Sequence, residues 1–136
     1  MLQLTTTAHA ELLGHAYDGL PFEACGLLGG RPGDVASAGV FYPTANLAQS
    51  SKVYTVDPGA HLRAERDAEH RGLEIIGVMH SHTHTVAYPS LTDVAQAPDP
   101  SWHYVIVSLA AEAPEVRSYR IQDGNISEEP VVLVAG

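Results

Sequence analysis

The stretch Leu73-Glu-Ile-Ile-Gly-Val-Met-His-Ser-His-Thr-His-Thr-Val-Ala-Tyr-Pro-Ser-Leu-Thr-Asp93 decides the fold. Its first part, Leu73 to Met79, is nearly all apolar, as in a central strand buried on both faces. The run leads straight into His80, and a strand that continues places His80, His82 and His84 on one face. After a loop, Ser90 to Ala97 reads as a short helix. Two imidazoles two residues apart on a strand can reach one ion, and Asp93, in the first turn of the helix, could supply a third ligand. Zinc takes N, S or O ligands, three of them from the protein in catalytic sites. The end of a strand and the start of a helix both lie at the rim of the sheet, where α/β proteins bind ligands. The same residues have plainer readings. Ser90-Leu-Thr-Asp93 fits the capping pattern of Ser/Thr followed three residues later by an acid. A His-x-His pair occurs in amidohydrolase-like enzymes, cupins, metallo-β-lactamase-like folds and surface loops. A metallo-β-lactamase reading expects Asp where this chain has His84, and a cupin reading expects a carboxylate that Thr85 to Tyr88 do not offer.

Composition narrows the setting. The chain has 136 residues, enough for one domain over residues 1–136 and too few for two. Its 16 acidic residues against 7 Lys plus Arg give a net charge of −9, and its 8 histidines outnumber the cations. A His excess raises the prospect of a metal site, imidazole being the commonest metal ligand. That charge and a single lysine, Lys52, argue against a nucleic-acid binder and against attachment to an anionic membrane. No apolar run approaches the ~18 residues of a membrane span, and no signal-peptide pattern is visible. One cysteine, Cys25, forms no internal disulfide. These features predict a cytoplasmic protein.

Outward from the central stretch, strands and helices interleave, which predicts an α/β or mixed α+β class with one central sheet. Leu4 to Gly19 reads as a helix, with Ala8, Leu12, Leu13 and Ala16 as its apolar stripe and Thr5 to Thr7 as N-caps. Glu23 to Gly30 reads as a short strand, and Asp34 to Tyr42 as its hairpin partner. Asp57-Pro58 opens a polar helix that Gly72 stops. Trp102 to Leu109 is a second apolar strand. Arg117 to Ile121 and Ile126 to Val134 flank the turn signal Asp123-Gly124, and Pro130 predicts that the last strand lies at an edge.

The spacing carries a resemblance. His80-Ser-His82, seven residues, Ser90, two residues and Asp93 is similar to the JAMM motif of MPN+ metallopeptidases, with Glu23 in the context of that family's upstream glutamate. The resemblance covers essentially the whole chain. A narrower one, to the small bacterial peptidases of the CysO-cysteine type, rests on His80-Ser-His-Thr, Ala87-Tyr-Pro-Ser-Leu-Thr-Asp-Val94, His103-Tyr-Val-Ile-Val-Ser108 and Arg117-Ser-Tyr-Arg-Ile121. It implies one α/β domain of the MPN type, cytidine-deaminase-like, with a curved central mixed sheet flanked by helices. It also implies Zn2+ held by His80, His82 and Asp93, Glu23 as the general base and Ser90 as the donor to the developing oxyanion. The implied activity is cleavage after the C-terminal Gly-Gly of a ubiquitin-like sulfur-carrier protein, releasing cysteine from a carrier–cysteine adduct. Other members would trim a carrier tail or cut another isopeptide or small amide. A non-catalytic scaffold and a non-haem iron enzyme are the remaining alternatives, since two His and a carboxylate also suit Fe(II).

The other notable residues have open or structural readings. Glu23 taken alone also reads as an exposed carboxylate at a strand edge. Cys25, two residues along, reads as a buried core residue on the same strand face as Glu23. His84 lines a groove, competes as a ligand or is plain surface. Trp102, Tyr104 and Val105 read as core, His103 as a hydrogen-bonded structural residue, and His9, His15, His61 and His70 as solvated helix positions.

Overall fold

The fold is described from a computed structural model covering residues 1–136. In chain order the elements are β1 (Leu2–Thr5), α1 (Thr6–Asp18), β2 (Cys25–Arg31), β3 (Ala36–Thr44), α2 (Pro58–His70), β4 (Glu74–His82), α3 (Leu91–Ala95), β5 (His103–Ser108), β6 (Glu115–Gln122), β7 (Asn125–Glu129) and β8 (Val131–Val134). All eight strands form one sheet in the order β7-β6-β5-β4-β2-β3-β1-β8. It is mixed: β4 runs parallel to β5, and β1 parallel to both β3 and β8, while the remaining pairs are antiparallel. The mixed α/β class expected from the sequence therefore holds. No helix is long and apolar enough to cross a membrane.

Two terminal elements differ from expectation. Leu2–Thr5 is a strand, and the first helix begins only at Thr6, with the Thr5 hydroxyl accepting from Ala8 N–H at 3.2 Å. Leu2 and Leu4 alternate inward, a period of two, because β8 from the far end of the chain pairs beside them. The C-terminal segment, expected as one strand over Ile126 to Val134, is two. Proline lacks the N–H a ladder needs, and at Pro130 the chain leaves β7 on one edge of the sheet and enters β8 on the other. One residue can join opposite edges only if the sheet curls round, and Leu2 N–H donates to the Pro130 carbonyl at 2.9 Å across that junction.

Both faces of β4 are covered, as its apolar run predicts. On one side Met79 packs with Leu28, Val105 and Val107 beneath the α1 residues Ala8, Leu12 and Ala16. On the other, Val78 packs with Leu27 and Tyr104 beneath Ala64 of α2. A bulge leaves Ile76 without a partner on β2, so Ile75 faces α2 and Ile76 faces α1. Beyond the bulge, alternation turns Val78, His80 and His82 to the α2 side, and Ser81 to the other. Gly77 lets β5 come close: a Cβ there would stand 2.2 Å from the His103 carbonyl oxygen.

A buried acid ties the curled sheet together. Glu129 accepts from His103 Nδ1 at 2.6 Å and from the Ser118 hydroxyl at 2.8 Å, linking β7 to β5 and β6. His103 is thus structural, as expected. Burial pushes the Glu129 carboxyl up, but hydrogen bonds from His103 and Ser118 outweigh it and hold the group at about 2. A depressed carboxyl stabilises the fold above the unfolded value, about 4.5, and the contribution is lost as pH falls towards 2. Glu129→Gln is expected to cost about 3 kcal/mol in urea unfolding at pH 7, with the gap to the parent protein narrowing by about half at pH 3. An equal cost at both pH values would remove the carboxylate from this role.

Candidate metal centre

Strand β4 stops at His82 and α3 starts after Ser90, so the intervening loop delivers Asp93 back onto the two imidazoles. His80 Nε2 lies 3.1 Å from His82 Nε2 and 3.1 Å from Asp93 Oδ2, and the last pair are 3.0 Å apart. All three residues are buried. Three donor atoms form a near-equilateral triangle. A tetrahedral zinc with bonds of 2.0–2.1 Å sets its ligands about 3.3 Å apart, so the triangle fits such an ion after small adjustments. The tautomer of His82 is also right. Its Nδ1 faces the Val86 carbonyl at 2.8 Å and must carry the proton, which leaves the Nε2 lone pair for a cation. His80 is held instead by Tyr54, whose ring stacks on it at 4.4 Å between centroids.

The electrostatics of the three side chains are coupled. Burial pulls His80 down, towards the neutral form that ligates. At His82 burial also pulls down, but the Asp93 carboxylate and Val86 carbonyl prevail and raise it. Asp93 is pushed up by burial and pulled far below the usual carboxylate range by hydrogen bonds from His80 and His82. Two protonatable rings share the place a divalent ion would take.

Glu23 is buried, and its Oε1 has no hydrogen-bond partner. Burial pushes its carboxyl up to about 7, with His82 opposing and Asp93 reinforcing the shift; the pairing of Cys25 with His80 and of Ala24 with Ser81 sets Glu23 opposite His82. It does not lie on a strand as expected: β2 begins only at Cys25. The Glu23 backbone instead leaves the sheet, because its N–H donates to the Ser50 carbonyl at 2.8 Å and its carbonyl accepts from Asn46 Nδ2 at 2.9 Å. Ser81 fastens this segment to β4. Its hydroxyl accepts from Ala24 N–H at 2.8 Å, and its own N–H donates to the Ala24 carbonyl at 3.0 Å.

Ser90 is the N-cap of α3. Its hydroxyl oxygen accepts from Asp93 N–H at 3.0 Å, which leaves its O–H proton free to donate. Ser90 N–H donates to Asp93 Oδ2 at 2.9 Å. The capping box is therefore closed by the same oxygen that meets both histidines. Cap and ligand, alternatives in the sequence, are one arrangement, since a carboxylate oxygen has lone pairs for both.

Several expectations need correction. His84 does not share the face of His80 and His82, because the strand has ended; it is exposed, with Nδ1 2.8 Å from the Thr83 hydroxyl. His15 is not simply solvated: its Nε2–H donates to the carbonyls of Cys25 (2.9 Å) and Thr44 (3.1 Å), fastening α1 to β2 and β3. Trp102 is half-buried rather than core, and walls an open cavity of about 860 Å³ that meets the centre only through Tyr54. Cys25 is buried as expected, its sulfur 3.3 Å from the Thr44 hydroxyl. Tyr54, Asn46 and Ser81 were not legible as site residues. Tyr54 and Asn46 sit in a stretch whose only ladder contact is the bridge Asn46–Val56.

An acid facing a His–His–Asp cluster at the mouth of a curled mixed sheet defines the JAB class of domain, and the sequence comparison agrees. Residues 5–122 match the family of prokaryotic homologues of the JAB domain, and the chain belongs to that family. It is 41% identical over 124 residues to the CysO-cysteine peptidase of Mycobacterium tuberculosis, covering 90% of this chain and 84% of that one. A solution structure from Desulfitobacterium hafniense is 40% identical with a TM-score of 0.92, covering 100% of this chain and 94% of the other. A JAB1/MPN domain protein from Archaeoglobus fulgidus shares the fold at 21% identity, TM-score 0.58, with 96% and 98% covered.

Proposed function

We propose that this protein is a zinc-dependent metallopeptidase that hydrolyses the amide bond after the C-terminal Gly-Gly of a ubiquitin-like sulfur-carrier protein, releasing cysteine from a carrier–cysteine adduct. The observation that carries this reading is the triangle of His80, His82 and Asp93 beside the unpartnered, buried carboxyl of Glu23. The substrate follows from the similarity to the CysO-cysteine peptidase over most of both chains.

His80, His82 and Asp93 would hold the zinc. When bound, zinc supplies Lewis acidity, polarising a carbonyl and making water a stronger acid. Glu23 takes a proton from the attacking water and passes it to the departing amine nitrogen. The C–N bond breaks, the carrier leaves with its glycine carboxylate and cysteine leaves as the free amino acid. The burial that raises the Glu23 carboxyl also makes it a strong enough base for the first transfer and a strong enough acid for the second. Ser90 donates its free O–H to the carbonyl oxygen as negative charge grows there.

Incubating the zinc-loaded protein with carriers ending in Gly-Gly-Cys and reading intact mass tests the proposal. Loss of one cysteine is expected. Cleavage only of carriers with longer tails would favour tail trimming, and oxygen-dependent turnover with bound iron would overturn the chemistry. Ser90→Ala is expected to keep zinc and lower kcat about 10²-fold, with a stability cost of about 1 kcal/mol from the lost cap. Unchanged kcat would leave Ser90 only its capping role.

A further inference from the structure

Seven cationic side chains serve a chain of net charge −9. Arg71 is spent on Asp67, Arg117 on Glu115 and Glu128, and Arg63 lies 3.8 Å from Asp57. Arg120 donates to the Ser101 carbonyl. Arg31 closes β2 at the end opposite Cys25, which is the residue paired with His80; six residues of strand place it about 20 Å away. Arg66 is an exposed position on α2. Lys52 is the remaining one, exposed and in no ion pair with any acid.

Its placement is specific. The Ser50 carbonyl accepts the N–H of Glu23 at 2.8 Å, and the Ser51 carbonyl accepts the hydroxyl of Thr83, the residue after the ligand His82, at 3.4 Å. Lys52 N–H donates to the Ser50 hydroxyl at 3.0 Å, and the Val53 carbonyl accepts from the same Asn46 amide that holds Glu23. The backbone on both sides of Lys52 is thus anchored to the residues flanking the general base and the metal ligands. From that anchor the exposed Lys52 carries its ammonium on a flexible four-carbon stem.

A substrate ending in cysteine brings a problem of charge. Its leaving residue carries a free α-carboxylate one residue from the bond to be cut, and it must approach a site already holding the carboxylates of Glu23 and Asp93. We propose that Lys52 binds the free α-carboxylate of the departing C-terminal residue and makes the protein selective for a terminal amino acid over an internal peptide or isopeptide bond. This rests on the peptidase reading above. Lys52 is a specificity residue: it touches the leaving group and takes no part in proton transfer.

The test compares a carrier ending in Gly-Gly-Cys with the same carrier ending in cysteine carboxamide, using the zinc-loaded full chain. The parent protein is expected to show a KM about tenfold lower for the acid than for the amide. Lys52→Ala should raise KM for the acid about tenfold with kcat little changed, and should leave the amide as it was. Lys52→Arg should restore the preference, and added salt should erode it in the parent protein alone. An equal loss on acid and amide would place Lys52 against the carrier body and overturn the proposal. So would equal cleavage of both substrates by the parent and Lys52→Ala proteins, which leaves the peptidase reading intact. Failure of the parent protein to cut either substrate removes that reading and this one with it.

Discussion

Glu23→Gln is expected to retain stoichiometric zinc and to lose carrier cleavage by about 10³-fold or more. The amide is nearly the shape of the acid, so the backbone hydrogen bonds to Ser50 and Asn46 persist. What disappears is the buried carboxyl, otherwise unpartnered at Oε1, that can accept a proton and give it back. A second readout separates this from a packing defect. Before metal binds, burial holds the Glu23 carboxyl up at about 7 against an ordinary 4.5. A raised carboxyl stabilises the fold below the unfolded value, and that contribution is lost as pH rises through 7. Ionised Glu23 is then a burden on the metal-free protein, of about 3 kcal/mol at pH 8. Glu23→Gln should therefore be the more stable protein in urea with chelator at pH 8, and no different below pH 4.5. A variant that is both inactive and less stable at pH 8 would point to damage and not to chemistry, and normal turnover would take Glu23 out of the mechanism.

The second large effect belongs to Asp93. Asp93→Ala is expected to lose zinc and all measurable hydrolysis together, because one oxygen serves both histidines and the Ser90 N–H. It also opens the capping box of a helix of only five residues, a further cost of about 0.5–2 kcal/mol. Asp93→Asn divides these roles. An amide oxygen can still accept from Ser90 N–H and keep α3 in place, but it lacks the anionic charge that balances a dication. Zinc content by metal analysis should fall in both variants, while thermal stability should fall more in Asp93→Ala. Full zinc occupancy in Asp93→Asn would exclude the carboxylate as a ligand.

The parts of this molecule legible in its sequence are those whose cause is local. The apolar run before His80 announces a two-sided strand, and the pair Ser90 and Asp93 announces a helix start at the right distance for a third ligand. Asp57-Pro58 opens α2 where expected, with the Asp57 side chain accepting from Gly59 N–H. What escaped depends on partners distant along the chain. Leu2 and Leu4 alternate only because β8 lies beside them. Pro130 divides the segment Ile126 to Val134 because the sheet has curled far enough for its two edges to meet. His15 reads as one more helix position until the carbonyls of Cys25 and Thr44 arrive within reach. Tyr54, the residue that braces His80, lies in a stretch with no periodicity. In the centre itself the motif spacing singled out the three residues that cluster, His80, His82 and Asp93, but it presented cap and ligand as rivals when one Asp93 oxygen closes the cap and meets both histidines.

The double hydrogen bond between Ser81 and Ala24 also bears on how such a protein can diversify. Glu23 and His80 stand more than fifty positions apart in the chain, yet the β2–β4 pairing and the Ser81–Ala24 bonds hold the two segments side by side. The length of the β2–β3 turn does not enter. The exposed β2–β3 turn, with Gly33 at φ 143°, can then accept inserted residues without moving Glu23 relative to His80 and His82. New recognition surfaces can be added at that turn while the reacting groups keep their places, so substrate range and chemistry are free to evolve separately.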